Sequence, residues 1–223
     1  MLKKRIIEYL KNSQFLMYFA AFIYSVYYGS NVWRYLFNKN VCIRGAFLRH
    51  TKIIVNGTTS HVYIGPKCQL NHCIITCYGG EVTICGPQTC INKSHFVSRG
   101  KGSVISIEKD FSMMGGSIQS AGGKRVSIGS HCMFSGDIEI LSSDLHPIYS
   151  TEDGSRINFE RDIEINDHVW LGAHVRVLKG SRINSNIIIG NSSLVNGQLE
   201  DSYCIYAGIP AKKIKTGVTW ARG

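Results

Sequence analysis

The amino-acid sequence predicts an all-β fold: a parallel β-helix built of triangular coils, with a helical segment in front and one long loop leaving the coil. Three observations predict it. A short phrase of apolar residue, spacer, apolar residue and turn returns as VYIGPKC at 62, VTICGPQ at 82, ISIEKDF at 105, VSIGSHC at 126 and IEINDHV at 163, which is an internal repeat. A finer period of six runs inside it: Ile165, Leu171, Val177, Ile183, Ile189 and Val195 are each six residues apart, as are Ile128, Phe134 and Ile140. Between these two runs the period fails. A period of six fits neither a 3.6-residue helix nor a hairpin meander, but it fits short flat strands joined by tight turns, each sending one aliphatic side chain inward. Three such strands make a coil of about 18 residues. The wider steps from Ile64 to Ile84, Ile107 and Ile128, of 20, 23 and 21 residues, read as coils with small turn insertions.

Residues 1–40 form a basic, aromatic helical segment. The chain carries 25 Lys and Arg against 15 Asp and Glu, a net +10, and most of that excess sits at the front. Lys3, Lys4, Arg5, Lys11, Arg34, Lys39, Arg44 and Arg49 face one acid, Glu8, within the first 50 residues. Charge confined to one end points to an anionic surface such as a membrane and argues against a nucleic-acid groove along the whole protein. The apolar run FLMYFAAFIYSVYY, residues 15–28, is fourteen residues long. A membrane span needs about 20 apolar residues, and Gly29, Ser30 and Asn31 interrupt before Val32, Trp33, Tyr35, Leu36 and Phe37 resume. No small-x-small cleavage site follows the run. Two placements stay open: a helix packed on its own protein, slightly favoured, and a helix lying on a membrane surface through residues 1–38. The expected location is cytoplasmic, with a peripheral position at the inner face of the membrane as the variant.

The coil is expected over 41–216, and a short tail over 217–223. A chain of 223 residues with 44% hydrophobic and 18% charged residues buries a real core and excludes disordered and collagen-like classes. Between Ile140 and Ile165 the six-residue step lands on His146, Glu152 and Asn158, none of which suits a core. Residues 141–162 (LSSDLHPIYSTEDGSRINFERD) are therefore a loop leaving the coil, the kind of place where binding and catalysis sit. The eight cysteines lack a C-x2-C pair and an export context, so they are expected to be reduced, buried thiols with no zinc site.

The six-residue repeat, the loop phrase SSDLHPIYS, then INDHVWLGAHVRVLKGSRI and the ending IYAGIPAKKIK together resemble the left-handed β-helix acyltransferases of the galactoside and maltose O-acetyltransferase type, over about residues 60–216. The longer phrase DLHPIYSTEDGSRIN is similar to the branch that O-acetylates bacterial capsular and surface polysaccharides, the polysialic acid O-acetyltransferases included. The resemblance implies acetyl-coenzyme A as donor, a saccharide acceptor, no metal, and a homotrimer with its sites between subunits. It makes His146 the general base, a role suited to an imidazole titrating near neutral pH. Asp144 is a candidate to orient that imidazole, with Glu152, Asp153 or a backbone carbonyl as alternatives. Trp170 matches the aromatic wall beside acceptor and thioester. The pantetheine arm is expected along the coils near the main-chain amides of Ala173 and Asn191, and Lys212, Lys213 and Lys215 are expected at the cofactor phosphates. Two departures stand out: Asn191 where many relatives have a small residue, and Asn196–Gly197 where relatives often carry a threonine-lysine pair.

Three other readings are weighed against this one. A γ-type carbonic anhydrase would use His131, His168 and His174 on a metal, but residues six apart lie on different sides of a triangular coil, so His168 and His174 diverge. A non-catalytic module of the same fold would not need His146, Trp170 and the terminal lysines together. A small sugar, amino sugar or serine as acceptor keeps the chemistry and changes the substrate. Transfer is expected to be direct, since no cysteine or serine with a clear base stands beside His146.

Overall fold

The computed structural model describes residues 13–222, so residues 1–12 of the expected helical segment and the last residue of the tail, Gly223, lie outside the described residues. The strands run from Val41 to Thr216 and wind into a three-sided prism, with eight strands on face 1, nine on face 2 and seven on face 3. The first coil lays Val41–Ile43 on face 1, Phe47–Arg49 on face 2 and Lys52–Asn56 on face 3, and each later coil repeats that order. All neighbours pair in parallel until the final strand, Lys212–Thr216, which runs antiparallel to Cys204–Ala207 on face 2. Stacked coils repeat at about 4.8 Å, so each inward side chain sits directly on its counterpart one coil away.

That stacking explains the sequence period. On face 1 the register aligns Ile64, Ile84, Ile107, Ile128, Ile165, Ile183 and Leu199 in one inward ladder. The six-residue series Ile165, Leu171, Val177, Ile183, Ile189 and Val195 is buried throughout, as are Phe134 and Ile140. The coil also begins earlier than the plain repeat phrase suggests, for Val41 and Ile43 pair with Val62 and Ile64.

The corners need left-handed backbone. Between faces 1 and 2, Lys67, Gln88, Asp110, His131, His168, Asn186 and Tyr203 all have φ between 56° and 64°. His, Asn and Asp tolerate that region better than most side chains, which accounts for His131 and His168 as turn residues. Gly116 is obligatory for a different reason: at φ 133° a side chain is barred, and an added Cβ would meet the Ile138 carbonyl oxygen at 2.0 Å.

The front segment caps the open end of the coil. Helix α1 (Gln14–Tyr27) and the 3-10 turn Asn31–Tyr35 satisfy the backbone of the first coil, which would otherwise be a bare edge. Ser25 accepts from the Leu48 N–H (3.0 Å), the Asn31 amide pairs with both N–H and C=O of Ile53 (2.8 and 2.7 Å), and the Tyr35 hydroxyl donates to the same carbonyl (2.9 Å). The packed placement of this helix is thus observed. Among the described residues no helix is long and apolar enough to cross a membrane.

The C-terminal tail is a strap. From Val218, whose N–H donates to Tyr203 O (3.0 Å), it runs back along the corner between faces 1 and 2. Trp220 stacks on the His168 ring at 4.4 Å and 8°, donating to the His168 carbonyl (3.1 Å), and Arg222 reaches Asp110 Oδ1 (2.5 Å) and the Cys132 carbonyl (2.9 Å).

All eight cysteines are free thiols, and five are buried. Burial pushes the thiols of Cys68 and Cys132 up to about 12 and that of Cys73 to about 11, so they fill core space and carry no thiolate.

Candidate active site

The loop leaves after the face 3 strand Ile138–Leu141 and re-enters at the face 1 strand Ile163–Ile165. Leu141, expected as the first loop residue, instead pairs with Gln119 and Leu178, so the loop spans 142–162. Its base is closed by the Arg161 N–H on the Ser142 carbonyl (3.1 Å). Further out, Ile157 N–H donates to Ile148 O (2.9 Å), Ser150 N–H to Ser155 O (2.8 Å), and Tyr149 bridges Arg156, which makes 148–157 a hairpin. The Asp153 carboxylate caps its turn by accepting from the N–H and hydroxyl of Ser155, which hold it below the usual carboxylate range.

Asn158 is the hub of the loop. Its side chain is unfit for an apolar core, yet it is buried, with both its amide oxygen and its amide nitrogen hydrogen-bonded. Its Oδ1 accepts from Ile148 N–H (2.6 Å), and its Nδ2 donates to Asp144 Oδ2 (2.8 Å) and to the His146 carbonyl (2.8 Å). It therefore fixes the backbone on both sides of His146. No pattern in the sequence marks it: along Ile157, Asn158 and Phe159 the two apolar residues are exposed and the asparagine is inside, the reverse of what side-chain polarity predicts.

His146 itself is exposed, its N–H donating to Asp144 O (2.8 Å), and among the described residues its imidazole has no hydrogen-bond partner in the chain. Asp144, expected beside the ring, has its carboxylate engaged elsewhere. Lys179 forms an ion pair with Asp144 Oδ2, the same oxygen that accepts from Asn158, and Lys179 above all holds the carboxyl below its usual range. Lys179 follows a face 3 strand one coil on, so this pair ties the loop to the coil beneath it. Glu152 makes only a backbone contact to the Ser150 hydroxyl (3.1 Å), and Asp153 is spent on its turn.

The other expected residues gather on face 2. Trp170 is half-buried, with its indole N–H 3.5 Å from Ser135 Oγ and its ring tilted against Trp220 at 6.2 Å. In register across the face, Met133, Trp170, Ile188, Ile205 and Lys215 form one outward row. Ala173 and Asn191 lie at the next corner and touch: the Ala173 N–H donates to Asn191 Oδ1 (3.0 Å). Gly172 leaves the room for this, since a Cβ there would meet that oxygen at 2.3 Å. The amide expected to hold a pantetheine carbonyl is thus capped by the chain's own side chain. Of the lysines, Lys213 is paired with Asp201 (2.7 Å), which raises its pKa, while Lys212 and Lys215 are exposed without an ion-pair partner among the described residues.

The site is therefore in two halves. In a triangular coil the corner between faces 3 and 1, where the His146 loop leaves, is opposite face 2, which carries Trp170 and the lysines, with Ala173 and Asn191 at the corner between faces 2 and 3. The loop also holds Leu145, Ile148, Tyr149, Ile157 and Phe159 exposed to solvent. His131, His168 and His174 do not converge: they are bound in turn to Asp110, Asn186 and Asp137, and no group of His, Cys, Asp and Glu able to hold a metal occurs among the described residues.

No family model matches the chain. It is 34% identical over 172 residues to the polysialic acid O-acetyltransferase of Neisseria meningitidis, covering 77% of this chain and 80% of that protein. Among solved structures it matches the polysialic acid O-acetyltransferase OatWY at 30% identity with a TM-score of 0.68, over 82% of this chain and 89% of that one. It matches the polySia-specific acetyltransferase NeuO at 26% identity and a TM-score of 0.61, over 78% and 83%. The class is that of the β-helix O-acetyltransferases. Within that class the chain belongs to the polysialic acid O-acetyltransferase family.

Proposed function

We propose that this protein transfers the acetyl group of acetyl-coenzyme A to a hydroxyl of a capsular or cell-surface polysaccharide containing sialic acid, with His146 as general base. In this reading the imidazole takes the proton of the attacking hydroxyl as its oxygen bonds to the thioester carbonyl carbon. The carbon–sulfur bond then breaks, and the same proton passes to the departing sulfur. Asn158 and Asp144 hold the backbone on which the imidazole stands, and Trp170 lines the acetyl end of the donor. The free ammonium groups of Lys212 and Lys215 suit its phosphates better than Lys213, which Asp201 already neutralises. A direct route fits the surroundings of His146: the loop has no cysteine, and the nearby Ser143 hydroxyl is engaged with Leu145 N–H (3.0 Å).

The observation that carries the reading is the split of the site between a loop at one corner and the face opposite it. We infer a homotrimer in which the loop of one copy lies across face 2 of the next, which also covers the loop's exposed apolar side chains. The first test is transfer from acetyl-coenzyme A to sialic acid oligomers, with His146→Ala folded but inactive. The second mixes that variant with Trp170→Ala. If sites are shared, equal mixing and reassembly restores activity to about a quarter of the sites, because one loop and one face in each pair must both be intact. A monomer in sedimentation, or a mixture as inactive as its components, overturns the shared site.

A further inference from the structure

Helix α1 is apolar over more than its packed side, and among the described residues only that one side is covered. Tyr18, Ala21, Phe22 and Ser25 turn toward the first coil. At 100° per residue, Phe15, Phe19, Ile23 and Tyr27 fall within an arc of about 120° adjoining that side, and they are 76%, 57%, 50% and 80% exposed. The 3-10 turn and the residues after it continue the pattern with Trp33, Leu36 and Phe37, the last fully exposed. A helix that covers a coil end and otherwise faces water carries polar residues on its outer side. Seven large apolar side chains there mark an interaction surface.

The charge around that surface has one sign. From Ser13 to His50 the chain has no Asp or Glu, while Arg34, Lys39, Arg44 and Arg49 are present. Arg34 lies over the Trp33 ring at 5.4 Å, and Arg49 over Tyr28 at 5.1 Å. Lys3, Lys4, Arg5 and Lys11 precede them in the sequence against Glu8 alone.

We propose that this end of the prism docks on an anionic lipid bilayer, with α1 lying in the plane of the interface. The exposed aromatic and aliphatic side chains sit at headgroup depth, where such rings are favoured, and the arginines and lysines meet lipid phosphates. Fourteen residues of helix measure about 21 Å, too short to cross but suited to lying flat. A second copy of the chain is the poorer partner, because a two-fold contact through this patch sets like charge against like. The inference stands apart from acetyl transfer and does not depend on it.

The test uses the full chain in co-sedimentation with large unilamellar vesicles of phosphatidylglycerol and phosphatidylcholine in equal parts, and of phosphatidylcholine alone. Binding to the anionic vesicles and little to the neutral ones is expected. The triple variant Phe19→Ser, Ile23→Ser, Phe37→Ser removes exposed groups only, so its circular dichroism and melting temperature should match the wild type while binding falls at least about tenfold. Arg34→Glu with Lys39→Glu should lose the part of the binding that salt removes. No binding to anionic vesicles overturns the proposal. So does undiminished binding by the triple variant, which would leave charge alone as the cause. A wild-type oligomer that the triple variant dissociates would assign the patch to a contact between copies instead.

Discussion

Replacing Asn158 by alanine isolates the loop from the coil. The side chain makes three hydrogen bonds, to Ile148 N–H, the Asp144 carboxylate and the His146 carbonyl. Asp144 keeps Lys179, so the change strands two backbone groups, the Ile148 donor and the His146 acceptor. At roughly 1 to 1.5 kcal/mol for each group left unpaired beneath the hairpin, the loop loses about 2 to 3 kcal/mol of local order, a factor of about 30 to 150 in its ordered population. The coil should not notice, because its ladders make no use of Asn158. Amide hydrogen exchange followed by mass spectrometry is the assay: peptides within 142–162 should lose protection by that factor while those of the inward ladder keep theirs, and kcat for acetyl transfer should fall with the loop. Asn158→Asp should do no better, since it retains the acceptor for Ile148 but sets a second carboxylate against Asp144. Unchanged protection in the loop, or a loss spread over the whole coil, would refute the hub role.

Three further outcomes are expected. Asn191→Ala uncaps the Ala173 N–H, so KM for acetyl-coenzyme A should fall by about fivefold, the worth of about one hydrogen bond, with kcat unchanged; a rise in KM would mean that the asparagine itself holds the donor. Trp220→Ala removes a nearly buried indole stacked on His168 and should cost about 3 kcal/mol in urea unfolding, the low end for a buried tryptophan because the strap lies on the outside of the coil; a smaller loss than Arg222→Ala would move the strap's anchor to the Asp110 pair. Lys179 depresses the Asp144 carboxyl, so the folded chain binds that proton less readily than the unfolded one. The anchor is then fully present above the unfolded value of about 3.9 and is lost as pH falls through the lower folded value. Loop protection should accordingly hold from pH 7 to 5 and drop only below about 4, whereas Lys179→Met should weaken it already at pH 7; a decline between pH 7 and 5 would contradict the assignment.

The coil was legible because its information is local. A strand of a triangular coil sends one residue inward and the next coil repeats it, so the six-residue spacing of Ile165, Leu171 and Val177 is the fold written along the chain. The break after Ile140 was equally plain, and with it the position of His146. The first coil was spelled less clearly, since Val41 and Ile43 gain their meaning only by pairing with Val62 and Ile64. Asp144 shows the limit of spacing: two residues from His146, its carboxylate turns instead to Lys179, 35 residues away.

The sequence by itself determined the period, the inward ladder, the reduced cysteines, the loop and the types of residue available for catalysis, because each follows from side-chain chemistry at fixed intervals along one strand path. Tertiary structure alone decided which corner the loop leaves from, that Asn158 lies inside it, that Asn191 caps Ala173, that Trp220 folds back onto His168, and which side of α1 stays open. These depend on contacts between residues 10 to 52 positions apart or on the sidedness of a turn, and nothing in the order of residues records how a corner directs the chain that leaves it.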